Sequence, residues 1–212
     1  GKAMKRRAGA FKLEALEPRL LLSGEALAGA ICPRVAWPGD LVADALEPAL
    51  SPDEKLVAFV RRDERSSELW VFRRDGSAPR RVARGDAARW AWPAFSGDGG
   101  SLLFYDVARS GPEGGSGLLL EARLAGGPPL PFGPEARLDP GARPAVTADG
   151  GVAVRTFRTR SALLIDAGGR GATPLPFGAG LSTLAASPGG ETIAARPEGG
   201  PLVLWRRAAG PT

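Results

Sequence analysis

The chain's most informative chemical feature is an absence: its 212 residues include no histidine. No Ser-His-Asp triad, Cys-His pair, histidine general base or histidine metal site can be assembled from these residues. Gly115-Ser116-Gly117 lacks the strand-to-helix setting of a nucleophile elbow and reads as a hairpin loop. Gly168-Gly169-Arg170-Gly171 opens no helix and carries no phosphate-loop lysine, so nucleotide binding finds no support. Carboxylate pairs could hydrolyse sugars, but nothing in the order of residues brings two acids together. The catalytic assignment is therefore none, and no cofactor is expected.

Binding chemistry has better candidates. Trp70, Trp90, Trp92, Trp205 and Tyr105 could line a groove for sugar or peptide, although aromatic residues in strands more often fill a core. Within Trp90-Ala91-Trp92 strict alternation points both indoles to one face, which makes this pair the candidate partner-contact patch. Asp53, Asp98 and Asp149 sit in Ser-Pro-Asp-like turns and are expected to fix those turns by bonding local amides. A calcium site would need about six to eight oxygens, which lone carboxylates on separate turns supply only if they converge, so no metal is expected. The single cysteine, Cys32, excludes an intrachain disulfide and leaves the redox compartment open.

These residues must be positioned by strands. Leu56-Val57-Ala58-Phe59-Val60 and Glu68-Leu69-Trp70-Val71-Phe72 are β-rich runs bounded by Ser51-Pro52-Asp53 and Asp75-Gly76-Ser77, the pattern of an antiparallel hairpin. Degraded copies follow from Pro93, Pro144 and Ala185. Ser96 lies 45 residues after Ser51, and Pro129-Leu130-Pro131-Phe132-Gly133 recurs as Pro174-Leu175-Pro176-Phe177-Gly178 at the same spacing. The prolines place that segment on an outermost strand, where no amide need be donated to a neighbour. The 30 glycines and 20 prolines suit many tight turns and argue against long helices.

A period near 45 with short strands marks stacked four-stranded units. The Ser-Pro-Asp turn, the Leu-Trp-Val-Phe strand and the Asp-Gly-Ser turn resemble the TolB-type repeat of β-propellers. The resemblance implies an all-β propeller of about four four-stranded blades, in a small, incomplete or truncated ring, since rings of this type usually hold six or more. The approximate blades are 49–92, 93–142, 143–183 and 184–212, preceded by a Pro-punctuated linker over 31–48 that could include a stray strand.

The first 30 residues are of another kind. Lys2, Lys5, Arg6, Arg7, Lys12 and Arg19 stand against Glu14 and Glu17, so four of the five net positive charges fall in the first 20 residues. The remainder is close to neutral, which argues against a phosphate-tracking nucleic-acid surface. No apolar run approaches the length of a spanning helix. Met4 reads as the natural start, followed by a basic region and an interrupted apolar stretch, a poor secretory signal on physical grounds. A short amphipathic helix over Phe11–Glu17 is the alternative. Leu16-Glu17-Pro18-Arg19-Leu20-Leu21-Leu22 resembles the bacterial LEPR-XLL motif, with Leu20 at its variable position. That resemblance implies an export or sorting tag over residues 1–30 and a destination at the cell surface, in the periplasm or outside the cell.

The expected function is an exported, non-catalytic binding or scaffolding module whose partner is a protein or envelope component. Self-association or further blades could complete the ring. The competing expectation is the propeller part of a larger enzyme, such as a prolyl-oligopeptidase-like serine peptidase.

Overall fold

The structure, a computed structural model, describes residues 45–86, 89–107, 116–134, 137–187 and 191–206. The export motif (Leu16, Glu17, Pro18, Arg19, Leu21, Leu22), Cys32 and all of the linker before residue 45 lie outside the described residues. Among the described residues every regular element is a β-strand, and no helix is long and apolar enough to cross a membrane.

Four antiparallel sheets follow one another along the chain. The first holds β1 (Ala45–Leu50), β2 (Leu56–Arg62), β3 (Ser66–Arg73) and β4 (Arg80–Asp86). The second holds β5 (Trp90–Phe95), β6 (Ser101–Asp106), β7 (Leu118–Arg123) and β8 (Leu130–Pro131). The third holds β9 (Ala145–Val146), β10 (Val152–Arg155), β11 (Ala162–Ile165) and β12 (Ala172–Pro174). The fourth has three strands among the described residues: β13 (Leu181–Ala186), β14 (Thr192–Pro197) and β15 (Val203–Arg206). Spatial order equals chain order in each sheet, so every connection within a sheet is a hairpin. β1 takes in Ala45–Pro48 and β5 opens at Trp90. The first sheet therefore starts inside the segment read as linker, and the second starts before the expected boundary at residue 93.

The period-2 geometry of a strand explains why the sheets stack. In β6, Leu102 and Phe104 face one way and join Ala58, Val60, Leu69 and Val71 of the first sheet in one core. Their neighbours Leu103 and Tyr105 face the other way and meet Val152, Val154 and Ile165 of the third sheet. Every residue of β6 is buried, so the strand is a shared wall between two cores. The third core, between the third and fourth sheets, is built from smaller residues: Ala153, Ala162, Leu181, Leu184, Ile193 and Ala195. Burying one large side chain such as Phe104 contributes about 1.5–3 kcal/mol, so the first two junctions are the stronger ones.

The two strands that carry the repeated Pro-Leu-Pro-Phe-Gly segment, β8 and β12, lie outermost in their sheets, where a missing N–H costs no ladder bond. The identical motifs do not occupy identical registers. Pro131 pairs with Leu120, whereas Pro174, the counterpart of Pro129, pairs with Leu163. The offset is two residues, which preserves face, so Phe132 and Leu175 each donate an N–H to the third strand and each fill a core.

The first turn of each sheet repeats one device. The Ser51 hydroxyl donates to Asp53 Oδ1 at 2.6 Å and accepts from the Leu56 amide at 2.9 Å. Ser96 does the same with Asp98 and Ser101, again at 2.6 and 2.9 Å. In the third sheet Thr147 donates to Asp149, which accepts from the Gly151 amide. In the fourth the Ser187 hydroxyl accepts from Thr192.

These bonds favour the ionised form. The Ser96 hydroxyl first and the Gly100 amide second hold Asp98 below the usual carboxylate range, and Ser51 with Lys55 does so for Asp53. A folded value below the unfolded one means that the turn's contribution is complete above the ordinary carboxylate pKa. It is lost as pH falls through the lowered folded value. In Ser96→Ala the Asp98 midpoint, followed by carboxyl-carbon NMR, is expected to move up toward the ordinary value. An unchanged midpoint would show that the hydroxyl does not set it.

Candidate functional site

The innermost strands run into their first turns through a recurring string: Glu47-Pro48-Ala49-Leu50-Ser51, Trp92-Pro93-Ala94-Phe95-Ser96 and Arg143-Pro144-Ala145-Val146-Thr147. Proline, alanine and the hydroxyl residue are kept by the fold, while the residue before proline changes from acid to aromatic to base. β1 and β5 carry a bulge at this point, between Leu46 and Ala49 and between Ala91 and Ala94. Glu47 and Trp92 there have φ of 56° and 54°, a left-handed conformation that costs a non-glycine residue on the order of 1–3 kcal/mol.

The three residues are linked across three sheets. Glu47 Oε1 accepts from the Arg62 guanidinium at 2.7 Å, and its second oxygen accepts from the Trp92 amide. The Arg143 guanidinium lies 5.5 Å from the centre of the Trp92 ring and donates to the Pro48 carbonyl at 3.1 Å, a cation stacked on an indole.

The bulge also decides the fate of the tryptophan pair. Trp90 and Trp92 do not share a face. Trp90 is buried in the first core, 4.9 Å from the Phe104 ring, while half-buried Trp92 packs on the second. Alternation fails because the residue inserted at the bulge resets it. Tyr105 is core, and Trp70 and Trp205 are half-buried at the edges of other clusters. Ser116 is buried and Gly117 pairs with Leu138, with no helix following.

A second polar cluster lies at the same end of the stack, where β10 ends. Arg155 pairs with Asp139 at 2.9 Å and donates to the Leu181 and Ser182 carbonyls at 2.8 Å each. Arg160 reaches Asp139 at 4.0 Å and Glu198 at 3.3 Å. Burial, with the Asp139 charge adding to it, pushes the Tyr105 phenol above its usual range. Its hydroxyl has no hydrogen-bond partner among the described residues.

Beside this cluster opens a cavity of about 510 Å³ lined by Arg137, Thr156, Phe157, Arg158 and Thr159. A second one, about 600 Å³, lies at the opposite end between Asp53–Leu56 and Arg73–Asp75 and mixes charges of both signs. Among the described residues no three acidic or cysteine side chains are grouped as a metal ion would need.

No family model matches the chain, and no curated protein matches it by sequence. Solved structures do. TolB from Acinetobacter baumannii is 22% identical with a TM-score of 0.58, over 76% of this chain and 40% of that one. A Mycobacterium tuberculosis puromycin-hydrolyzing peptidase is 22% identical with a TM-score of 0.56, over 76% of this chain and 27% of that one. The β-propeller domain of the Trilobed protease from Pyrococcus furiosus is 15% identical with a TM-score of 0.52, over 78% and 55%.

The fold is a β-propeller. Its four sheets are blades, and the chain spans 40% of the length of the A. baumannii TolB structure it matches. Neither motif nor alternation points to Glu47, Arg143, Asp139 or Arg155. The signal that could have found the first two is the string before each Ser or Thr turn, in which one position varies while its neighbours persist.

Proposed function

We propose that this chain is the blade array of an exported, non-catalytic binding or scaffolding protein that holds a protein or envelope partner at the end of the propeller carrying Glu47, Trp92 and Arg143. The observation that carries this reading is the contrast within the repeat. Equivalent positions keep the residues that build the turn, yet place an acid, an indole and a guanidinium next to one another, the first two at a cost in backbone strain. Rigid strands presenting varied side chains at their ends are the usual arrangement of a recognition surface. Export rests on the LEPR-XLL-like segment.

Affinity capture from envelope extracts, with the full chain and a Trp92→Ala/Arg143→Ala variant side by side, tests the proposal. A protein recovered by the parent is expected to drop about tenfold or more with the variant, since aromatic and arginine anchors carry most of an interface's energy. An identical set of captured proteins would count against this surface.

A second reading draws on the likeness to the puromycin-hydrolyzing peptidase, of which this chain spans 27%: the propeller part of a larger serine peptidase. Labelling of the native polypeptide by a fluorophosphonate probe would favour that reading, because these 212 residues contain no histidine to activate a serine.

A further inference from the structure

Blade 1 buries apolar side chains on a face to which no other described blade contributes. β2 and β3 pair Val57 with Phe72 and Phe59 with Trp70. All four side chains point away from the first core, whose members on these strands are Ala58, Val60, Leu69 and Val71. Phe59 and Phe72 are each 2% exposed and Val57 is buried, yet their cluster draws on blade 1 alone among the described residues. The two rings meet edge-on at 5.7 Å, and Phe72 has an interaction beyond that contact.

A side chain on a sheet can lean on its strand neighbours, but its outward tip meets water unless something lies over the face. The outer face of blade 4 shows the uncovered case: Leu204, paired with Ala194 on the side turned away from the third core, is 58% exposed. Larger rings on the outer face of blade 1 are hidden, so that face has a cover.

The chain itself supplies one of suitable length and chemistry. The compact unit that contains the blades begins at Ala36, and residues 36–44 include the apolar Trp37, Leu41 and Val42, the charged Asp40 and Asp44, and Pro38-Gly39, a turn signal. Ala45, which follows them and opens β1, is already packed against the cluster. Phe72 lies two strands across from Ala45 and four residues along, a separation of about 16 Å at ordinary strand spacings. Trp37 precedes Ala45 by eight residues, which span up to about 27 Å when extended. The indole can reach Phe72 with slack for a turn.

We infer that residues 36–44 are a built-in cover for the outer face of blade 1, with Trp37 seated on the Phe59–Phe72 pair and Asp40 and Asp44 turned to water. Stacked repeats need a terminal unit with a polar outer side, because each unit's faces are made to be stacked upon. The segment gives blade 1 that finish. It closes the blade to a second copy or a further blade, so whatever extends the array is received at the open face of blade 4.

Carbon-edited NOESY spectra of the full chain test this. Cross-peaks from the Trp37 indole to the Phe59 and Phe72 rings are expected. Trp37→Ala should shift the Phe59 and Phe72 ring resonances, leave those of Phe95 and Phe104 in the first core in place, and raise binding of the apolar dye ANS several-fold. Leu204→Ser, on the open face, should not raise it. Absence of cross-peaks between residues 36–44 and Val57, Phe59 or Phe72 would overturn the inference, whether or not the variant folds. Cross-peaks seen only in an isotope-filtered spectrum of mixed labelled and unlabelled chains would also overturn it, because the cover would then be a second copy.

Discussion

Asp139→Ala is expected to destabilise the propeller by about 3–5 kcal/mol, because it leaves the Arg155 guanidinium charged, buried and without its counterion. The two side chains are only 13% and 7% exposed, so solvent cannot take over the lost partner. Arg155 is also the clasp between blades: its two donors at the Leu181 and Ser182 carbonyls hold the first strand of blade 4. The junction it reinforces is the weakest of the three, lined mainly by alanine and leucine with no buried aromatic ring. Loss of order is therefore expected to start there. Stacked repeats unfold by neighbour, not always as one body, and in Asp139→Ala the amides of Leu181–Ala186 should exchange with solvent before those of blade 2.

The double variant Asp139→Ala/Arg155→Met separates an orphaned charge from a lost attraction. Replacing both members of a buried pair by apolar groups removes the orphaned charge, so the double variant should regain the part of the loss due to that charge, while the two carbonyl bonds of Arg155 stay lost. Urea denaturation followed by tryptophan fluorescence measures both. A single variant within about 1 kcal/mol of the parent would show that the pair is solvated and structurally idle, and a double variant no better than the single would show that the loss does not come from an orphaned charge.

How far the sequence reveals this molecule depends on which interactions are local. The apolar runs Leu56–Val60 and Leu102–Tyr105 are legible because both faces of each strand are buried, and one step along the strand changes the cluster. The Ser-x-Asp turns are legible because donor and acceptor lie two residues apart. The proline-bearing outer strands are legible because an edge is one of the few places in a sheet that tolerates proline. The two-residue slip between the identical Pro-Leu-Pro-Phe-Gly motifs is invisible to alignment, since it preserves which side chains point inward.

The Glu47–Trp92–Arg143 cluster is hidden for a different reason. Nothing in the types Glu47 or Trp92 announces a left-handed backbone, and a positive φ before proline runs against local preference. Only neighbouring blades show why it is kept: Glu47 accepts the Trp92 amide from 45 residues away, and Arg143 reaches back to Pro48 across 95. Asp139 and Arg155 are similarly obscure, one in a connection and one at a strand end, each ordinary in its own surroundings.

The tryptophan pair offers the sharpest contrast, because residues two apart are expected to behave in opposite ways. Trp90→Ala should cost about 3–5 kcal/mol, the range for truncating a large buried aromatic side chain. Only 3% of Trp90 is exposed, and its ring packs at 4.9 Å and 58° against Phe104 in the core that joins blades 1 and 2. The indole N–H, however, is buried without a hydrogen-bond partner among the described residues, so the native residue already carries a desolvation cost of about 1–3 kcal/mol. Trp90→Phe discards that donor and keeps an aromatic ring against Phe104. It is expected to stay within about 1.5 kcal/mol of the parent, the scale of a hydrophobic swap that needs little repacking. Trp92→Ala, by comparison, removes a half-buried ring that supports Arg143, and its effect should appear mainly in partner capture. Denaturation curves together with capture assays on the three variants decide the matter. If Trp90→Ala proved harmless to stability, or Trp90→Phe abolished partner capture while remaining folded, Trp90 would have to be moved from the blade interface to the binding surface.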